Sequence, residues 1–377
     1  MRSLKVISSY LAAAAAGAGL LGLVLWLGHA PQKLVTDPGT PDPRHAPPDE
    51  YRWTDQPAPA FPLPPYARFL AGTLIVVDPG HGGRADRENW KRGPTGLREA
   101  EVNLSVAQFL RDFLVAAGAE VIMTRTTDVY LDPDIGKDNR KRAAIANDHC
   151  ADLLLSIHHN AANKPEVNYT VLFYHGNAAE NPASVCAARH LLTGLNDALR
   201  LDDHLPCAVL SDHRLFNNGL GLLREARVPA VLSEASFHSN PQEEQRLRDP
   251  VYNRREAYGH LLGLARWAQA GLPRIRLAKP DDQVKPGGTF EIELDDGLKS
   301  RGGWGSDSLH IFPDSLRVHL NGQNVTFTTD LKRGRLRVNV PKRLTGSSTW
   351  LYVDFANVFG QQVLHPWLEL PLAVPRR

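Results

Sequence analysis

Between residues 72 and 270, short apolar runs alternate with stretches of helical periodicity, and this alternation constrains the fold most. Leu74–Val77, Asp152–Ile157, Tyr169–Tyr174 and Pro229–Ser233 are too short for helices and rich in aliphatic residues, so they read as buried strands. Ala119–Arg125 reads as another strand. Glu99–Gly118 reads as a helix, with Val102, Val106, Phe109, Leu110 and Phe113 on one face and Gly118 as its stop. Asp138–His149 and Val251–Ala270 read as further helices. Strands alternating with helices predict an α/β fold: a mostly parallel, twisted sheet flanked by helices. After Gly271-Leu272-Pro273 the pattern changes to alternation: Phe290, Ile292, Leu294; Leu336, Val338, Val340; Leu351, Val353, Phe355. Asn321-Gly322 is a hairpin-turn signal. Residues 273–377 therefore predict a small all-β sandwich.

The front of the chain is different. Arg2 and Lys5 precede an uncharged apolar run from Tyr10 to Leu27. Residues 1–30 read as a signal peptide or an uncleaved signal anchor. Pro31 and the length of the apolar core favour the anchor, with residues 6–28 approaching the ~20 needed to span a bilayer. The positive charges place the rest of the chain outside the cytoplasm, in the cell envelope. Residues 31–68 form a Pro-rich linker, with eleven prolines between Pro31 and Pro65. The net charge of +2 provides no basic excess for nucleic acid. Three cysteines, Cys150, Cys186 and Cys207, with no CxxC pair, give neither a disulfide framework nor a thiolate zinc site. Whether Cys186 and Cys207 are bridged is left open by their spacing.

Three strands run into polar residues. Leu74–Val77 leads into Asp78-Pro79-Gly80-His81-Gly82-Gly83, Asp152–Ile157 into His158, and Pro229–Ser233 into Glu234. In an open α/β sheet, ligands bind outside the carboxyl ends of the strands, so these residues converge on one edge. Glu99, in the first turn of its helix, reaches the same edge. Two imidazoles and a carboxylate suit zinc, which leaves a fourth position for a water whose pKa falls to about 7. A second carboxylate outside that set can act as general base. The residues thus nominate His81, Glu99 and His158 as metal ligands for one zinc ion per chain, and Glu234 as the catalytic base.

The runs IVVDPGHGG (75–83), GLREAEVNL (96–104), SIHHNA (156–161) and PAVLSEASFHSN (229–240) resemble the four signature segments of the zinc N-acetylmuramoyl-L-alanine amidases of the Amidase_3 family. Arg142 to Asn147 resembles a fifth, helical segment. The resemblance covers residues 72–270 and makes 69–272 the catalytic domain. It implies the same zinc ligands and the same base, and it selects Glu99 over Glu101. It also implies peptidoglycan as substrate, cut between the lactyl group of N-acetylmuramic acid and the L-alanine of the stem peptide. The alternatives are a zinc peptidase or amidase acting on another wall bond, and a non-catalytic wall-binding regulator on the same fold. The chain departs from the family text at Ala235-Ser236 and over residues 202–221. There is no room between His158 and Glu234 for a long blocking helix, so an open cleft is expected.

Neighbouring residues receive other roles. Glu101 faces about 200° away from Glu99 on a helix and reads as a surface residue. His159 points opposite to His158 on a continuing strand. His149, His175, His204 and His213 have no motif context and read as surface residues. Arg224 reads either as a substrate-positioning group or as an ion pair, and Asn240 as a turn or cap residue. No aromatic cluster in the C-terminal domain stands out as a sugar platform, and no activator protein is identified.

Overall fold

The computed structural model describes residues 61–83, 91–199, 208–279, 283–299, 309–344 and 346–373. The expected anchor at residues 6–28 and most of the Pro-rich segment lie outside these residues. So do His204 and Cys207, while Cys186 is a buried free thiol. No helix among the described residues is long and apolar enough to cross a membrane.

The first part of the chain contains β1 (Leu74–Pro79), α1 (Glu99–Ala116), β2 (Glu120–Met123), α2 (Ile135–Asp148), β3 (Leu153–Asn160), β4 (Val171–Tyr174), α3 (Pro182–Leu199), β5 (Ala208–Ser211), α4 (Gly221–Glu225), β6 (Ala230–Phe237), α5 (Pro241–Leu247) and α6 (Pro250–Gln269). The strands form one sheet in the order β2-β1-β3-β6-β4-β5. Neighbours are parallel except β4, which runs antiparallel to β6. Ile75, Val77, Leu153, Leu155 and Val231 pack toward α1, α3 and α6. Val76, Leu154 and Leu232 pack toward α2 and α4. Burial on both faces is why these strands are apolar without alternation.

The mostly parallel sheet matches the expectation, with three differences. First, β3 and β6 do not stop at Ile157 and Ser233. They pair onward through His158↔Glu234 and Asn160↔Phe237, with a register shift between. Second, α3 and β5 were not expected. A Cβ on Gly194 of α3 would lie 2.3 Å from the Gly259 carbonyl oxygen of α6, so the two helices meet almost backbone to backbone. Small residues, including Ala187 and Ala188, let the helices approach, while Leu191, Leu195 and Leu199 fill the buried face of α3 at i, i+4 and i+8, an ordinary helical stripe. Third, residues 61–68 are not linker. Phe61 packs on the core, its ring 5.3 Å from that of Tyr258, and the Tyr258 hydroxyl donates to the Pro62 carbonyl at 2.8 Å.

The C-terminal part contains β7 (Arg274–Leu277), β8 (Thr289–Asp295), β9 (Arg317–Leu320), β10 (Gln323–Asn324), β11 (Phe327–Asp330), β12 (Arg335–Asn339), β13 (Ser348–Asp354) and β14 (Trp367–Pro371). They form two four-stranded antiparallel sheets, β11-β12-β8-β7 and β10-β9-β13-β14. Their inward residues share one core, including Ile292, Leu294, Leu336, Val338, Leu351 and Val353. Asn321 (φ 49°) and Gly322 (φ 75°) turn the β9–β10 hairpin, the positive-φ pair that a two-residue turn demands. The segment after β13 reaches back to the first core. Leu364 joins that core, and the Asn357 amide donates to the Ala270 carbonyl at 2.9 Å. On the outer face, Tyr352 stacks between His319 and Trp367, with ring centroids 5.7 and 4.8 Å away. This aromatic row, absent from the sequence reading, is assembled from three strands and is invisible to local inspection.

A buried ion network holds the carboxyl end of β1. The Arg142 guanidinium of α2 pairs with Asp78 at 2.9 Å and with Asp138 at 2.7 Å. It also donates to the carbonyls of Pro79 and His81. Asp78 further accepts from Ser156 and Thr124. Burial raises the Asp78 pKa, but Arg142 and these hydroxyls outweigh it and hold the carboxyl below its ordinary value. Breaking such a network strands an unpaired buried charge. Arg142→Leu is expected to lower unfolding free energy by about 3–5 kcal/mol, measured by urea denaturation.

Candidate metal centre

His81 follows β1 in a tight turn and has a left-handed backbone, φ 59°. Such a conformation costs on the order of 1–3 kcal/mol for a non-glycine residue and persists only where its surroundings enforce it. Here they do. Arg125 donates to the carbonyls of Pro79 and Gly80 at 2.8 and 2.9 Å, and Arg142 to that of His81 at 2.8 Å. Gly83 is fixed from both sides, its amide donating to Asp128 and its carbonyl accepting from Arg98. Gly80 is required for another reason. A Cβ there would fall 2.2 Å from the His158 ring, so only glycine lets the β1 end lie against that imidazole.

Glu99 is the first residue of α1 and is buried. Its Oε2 lies 3.0 Å from His81 Nε2, and its Oε1 lies 3.0 Å from His158 Nδ1. The two imidazoles stand at 88° with centroids 4.6 Å apart. Donor atoms of the three residues all lie within 4.8 Å of one another, so the structure brings the nominated ligand set together. Burial raises the Glu99 pKa, but the two histidines outweigh it and keep the carboxylate well below its usual range. Burial pushes His81 down to about 4, against the pull of Glu99. At neutral pH the group therefore offers an ionised carboxylate and a neutral His81 imidazole, the states in which these side chains bind a metal.

Glu234 is the register partner of His158 on the next parallel strand, so the two side chains share one face of the sheet. Its Oε2 is shielded from solvent and has no hydrogen-bond partner among the described residues. Burial, and then the charge of Glu99, raise its pKa well above the ordinary value, while Lys91 opposes them. A carboxylate of raised basicity and with an unsatisfied oxygen is suited to holding a proton from a water molecule. Lys91, to which the sequence assigns no role, places its ammonium against the His81 ring. No motif marks it, because it lies in the irregular stretch before α1.

The competing residues separate as their spacing implies. Glu101 is exposed and pairs with Arg98 at 3.1 Å. Asn240 caps α5, accepting from the Glu243 amide at 2.8 Å. Arg224 pairs with Glu225 and donates to the Asn218 carbonyl, a local structural role. His149 is exposed. His213 is exposed and His175 partly exposed, in keeping with the surface reading, and the two meet around buried Asp212. His159 points to the opposite face, as expected, but into a buried network. Its Nδ1 contacts Asn103 Oδ1 and its Nε2 contacts Glu256 Oε2, both at 2.8 Å. Asn103 in turn donates to Glu99 at 3.3 Å and to the Gly80 carbonyl at 3.2 Å. Glu256 of α6 thus supports the metal group from behind, a role that nothing in the text of α6 signals.

This buried pair has a pH signature. Burial raises the Glu256 pKa, but His159 outweighs it and holds the carboxyl at about 2 against 4.5. Burial lowers the His159 pKa, but Glu256 outweighs it and the net shift is upward from 6.5. The Glu256 contribution to stability is full above pH 4.5 and fades as pH falls toward about 2. The His159 contribution is full below pH 6.5 and fades as pH rises through its raised value. Glu256→Gln is therefore expected to cost most between pH 4.5 and 6.5, by about 3–5 kcal/mol. Denaturant melts of both proteins across pH check this, and a pH-independent difference contradicts it.

The model of the Amidase_3 family, described as N-acetylmuramoyl-L-alanine amidase, matches residues 75–266. A germination-specific N-acetylmuramoyl-L-alanine amidase of Bacillus subtilis (strain 168) is 33% identical over 213 residues, covering 54% of this chain and 83% of that protein. A probable cell wall amidase, LytH, of Staphylococcus aureus is 32% identical over 184 residues, covering 48% of this chain and 54% of LytH. The chain thus spans about half the length of LytH. Among solved structures, an N-acetylmuramoyl-L-alanine amidase from Clostridium difficile 630 aligns at 27% identity with a TM-score of 0.45, covering 53% of this chain and 98% of that one. With half of its length matched by the family model, and with four fifths of the Bacillus enzyme covered, the chain belongs to the Amidase_3 family of N-acetylmuramoyl-L-alanine amidases.

Proposed function

We propose that the chain hydrolyses the amide between the lactyl group of N-acetylmuramic acid and the L-alanine of the peptidoglycan stem peptide, with one zinc ion held by His81, Glu99 and His158. The observation that carries this reading is the juxtaposition of two imidazoles and a carboxylate within 4.8 Å, with Glu234 in register with His158 beside them. The donor set fits: two nitrogens and one oxygen match borderline Zn2+ better than an all-oxygen ion such as Mg2+ or Ca2+. Bound there, zinc would supply Lewis acidity, lowering the pKa of a water to about 7 and polarising the substrate carbonyl.

The chain's own residues supply the rest. Glu234 takes a proton from the attacking water on its Oε2 side and passes it to the departing alanine nitrogen, which leaves as the amine. Its burial beside Glu99 raises its affinity for that proton. Asn103 and the His159 amide hold Glu99 in place through hydrogen bonds of 3.3 and 3.2 Å. Arg125 and Arg142 fix the turn that presents His81.

The setting of this activity is the cell envelope, outside the cytoplasm. That part of the proposal rests on the charged and apolar pattern of residues 1–30, with residues 6–28 as a tether to the membrane and the Pro-rich stretch as its leash. The catalytic domain is residues 69–272 extended forward to Phe61, and the sandwich from 273 onward is its accessory domain.

Incubation of the chain with purified peptidoglycan is expected to release stem peptides with a free L-alanine amino terminus, identified by mass spectrometry. A chelator should abolish release and added Zn2+ restore it. Products cut at any other bond contradict the assignment. Glu234→Ala is expected to keep its metal and to lose about 10²–10⁴ in rate; undiminished turnover removes Glu234 from the mechanism.

A further inference from the structure

A second group of two imidazoles and one carboxylate lies at the other end of the sheet. Because β4 runs antiparallel to β6, and β5 runs parallel to β4, these two strands end opposite the edge that carries His158 and Glu234. β4 leads directly into His175-Gly176, and β5 into Asp212-His213. Asp212 is fully buried. Its Oδ1 accepts from the Gly176 amide at 3.1 Å, and its Oδ2 accepts from the Leu220 amide at 2.8 Å. The same Oδ2 lies 2.9 Å from His175 Nδ1. The rings of His175 and His213 stand at 88° with centroids 5.2 Å apart. Donor atoms of the three residues fall within 4.8 Å of one another.

The likeness to the first centre is geometric. In both, a buried carboxylate that accepts from at least one backbone amide lies about 3 Å from an imidazole nitrogen, and a second imidazole stands perpendicular. The carboxylate here is built in. Gly219, at φ 64°, lets the chain wrap over Asp212, and a Cβ there would collide with its Oδ2 at 2.4 Å. Access differs: His175 is partly exposed and His213 is exposed, so an ion can arrive from solvent without any opening. A Cβ on Gly176 would lie 3.9 Å from the His213 ring and 4.0 Å from a Glu180 carboxylate oxygen, so an acidic side chain stands near the rim.

We propose that His175, Asp212 and His213 form a second site for a borderline divalent ion such as Zn2+, distinct from the hydrolytic centre. The imidazole nitrogens and the carboxylate suit that class of ion. Binding replaces the direct contact of His175 Nδ1 with Asp212 Oδ2 by bonds from both atoms to the ion, with any Nδ1 proton released to solvent, and the ion links the end of β4 to the end of the edge strand β5. The site does not depend on the amidase reading, since it shares no residue with the first group.

Metal-free full-length chain is titrated with Zn2+ by equilibrium dialysis and calorimetry. Two equivalents are expected, the second weaker. Glu99→Gln weakens the first and leaves the second. His213→Ala, at an exposed side chain, weakens the second by at least about tenfold, as loss of a metal-holding contact does, and leaves peptidoglycan hydrolysis unchanged. A single equivalent in the wild-type chain overturns the proposal. So does a second equivalent whose affinity is unaltered in His213→Ala.

Discussion

A carboxylate buried at the first turn of a helix is tolerable only when its charge is matched, and Glu99 organises the catalytic edge around that requirement. Its two oxygens face His81 and His158, and Oε1 also accepts from Asn103 and the His159 amide. One side chain thereby ties α1 to the end of β1 and to β3. The same contacts leave the carboxylate ionised and His81 neutral, so structural need and metal-binding state coincide.

Two further layers keep this arrangement from relaxing. On one face, Arg142 and Asp78 pin the turn that carries His81, which holds an unfavourable backbone angle. On the other, Glu256 of α6 anchors His159, which reaches Asn103 and through it Glu99. α6 in turn is seated on α3 by a nearly side-chain-free crossing at Gly194, Gly259 and Gly263. Rigid helix packing is thus transmitted to the metal group through a chain of buried hydrogen bonds, the kind of outer support on which metal affinity depends.

Much of this was legible in the sequence because the signals were local. Apolar runs ending in polar residues marked β1, β3 and β6, and a turn of about 200° on the helix separated Glu99 from Glu101. What escaped notice was non-local. α3 is the exception, since Leu191, Leu195 and Leu199 form a local apolar stripe that does mark a helix. Arg125, Lys91 and Glu256 act across the fold and sit in no motif. The His175–Asp212–His213 group and the Tyr352 aromatic row arise from strand neighbours far apart in the chain. The Asn321-Gly322 hairpin, by contrast, was readable from two residues because the turn itself demands them.

The central claim is that His81, Glu99 and His158 hold the hydrolytic metal. Anomalous diffraction at the zinc absorption edge, from crystals of the zinc-loaded chain, tests it most directly. The account predicts the strongest peak between His81, Glu99 and His158, with the Glu234 carboxylate facing it and outside bonding distance. A strongest peak elsewhere, or one bound by Glu101 or directly by Glu234, would contradict it.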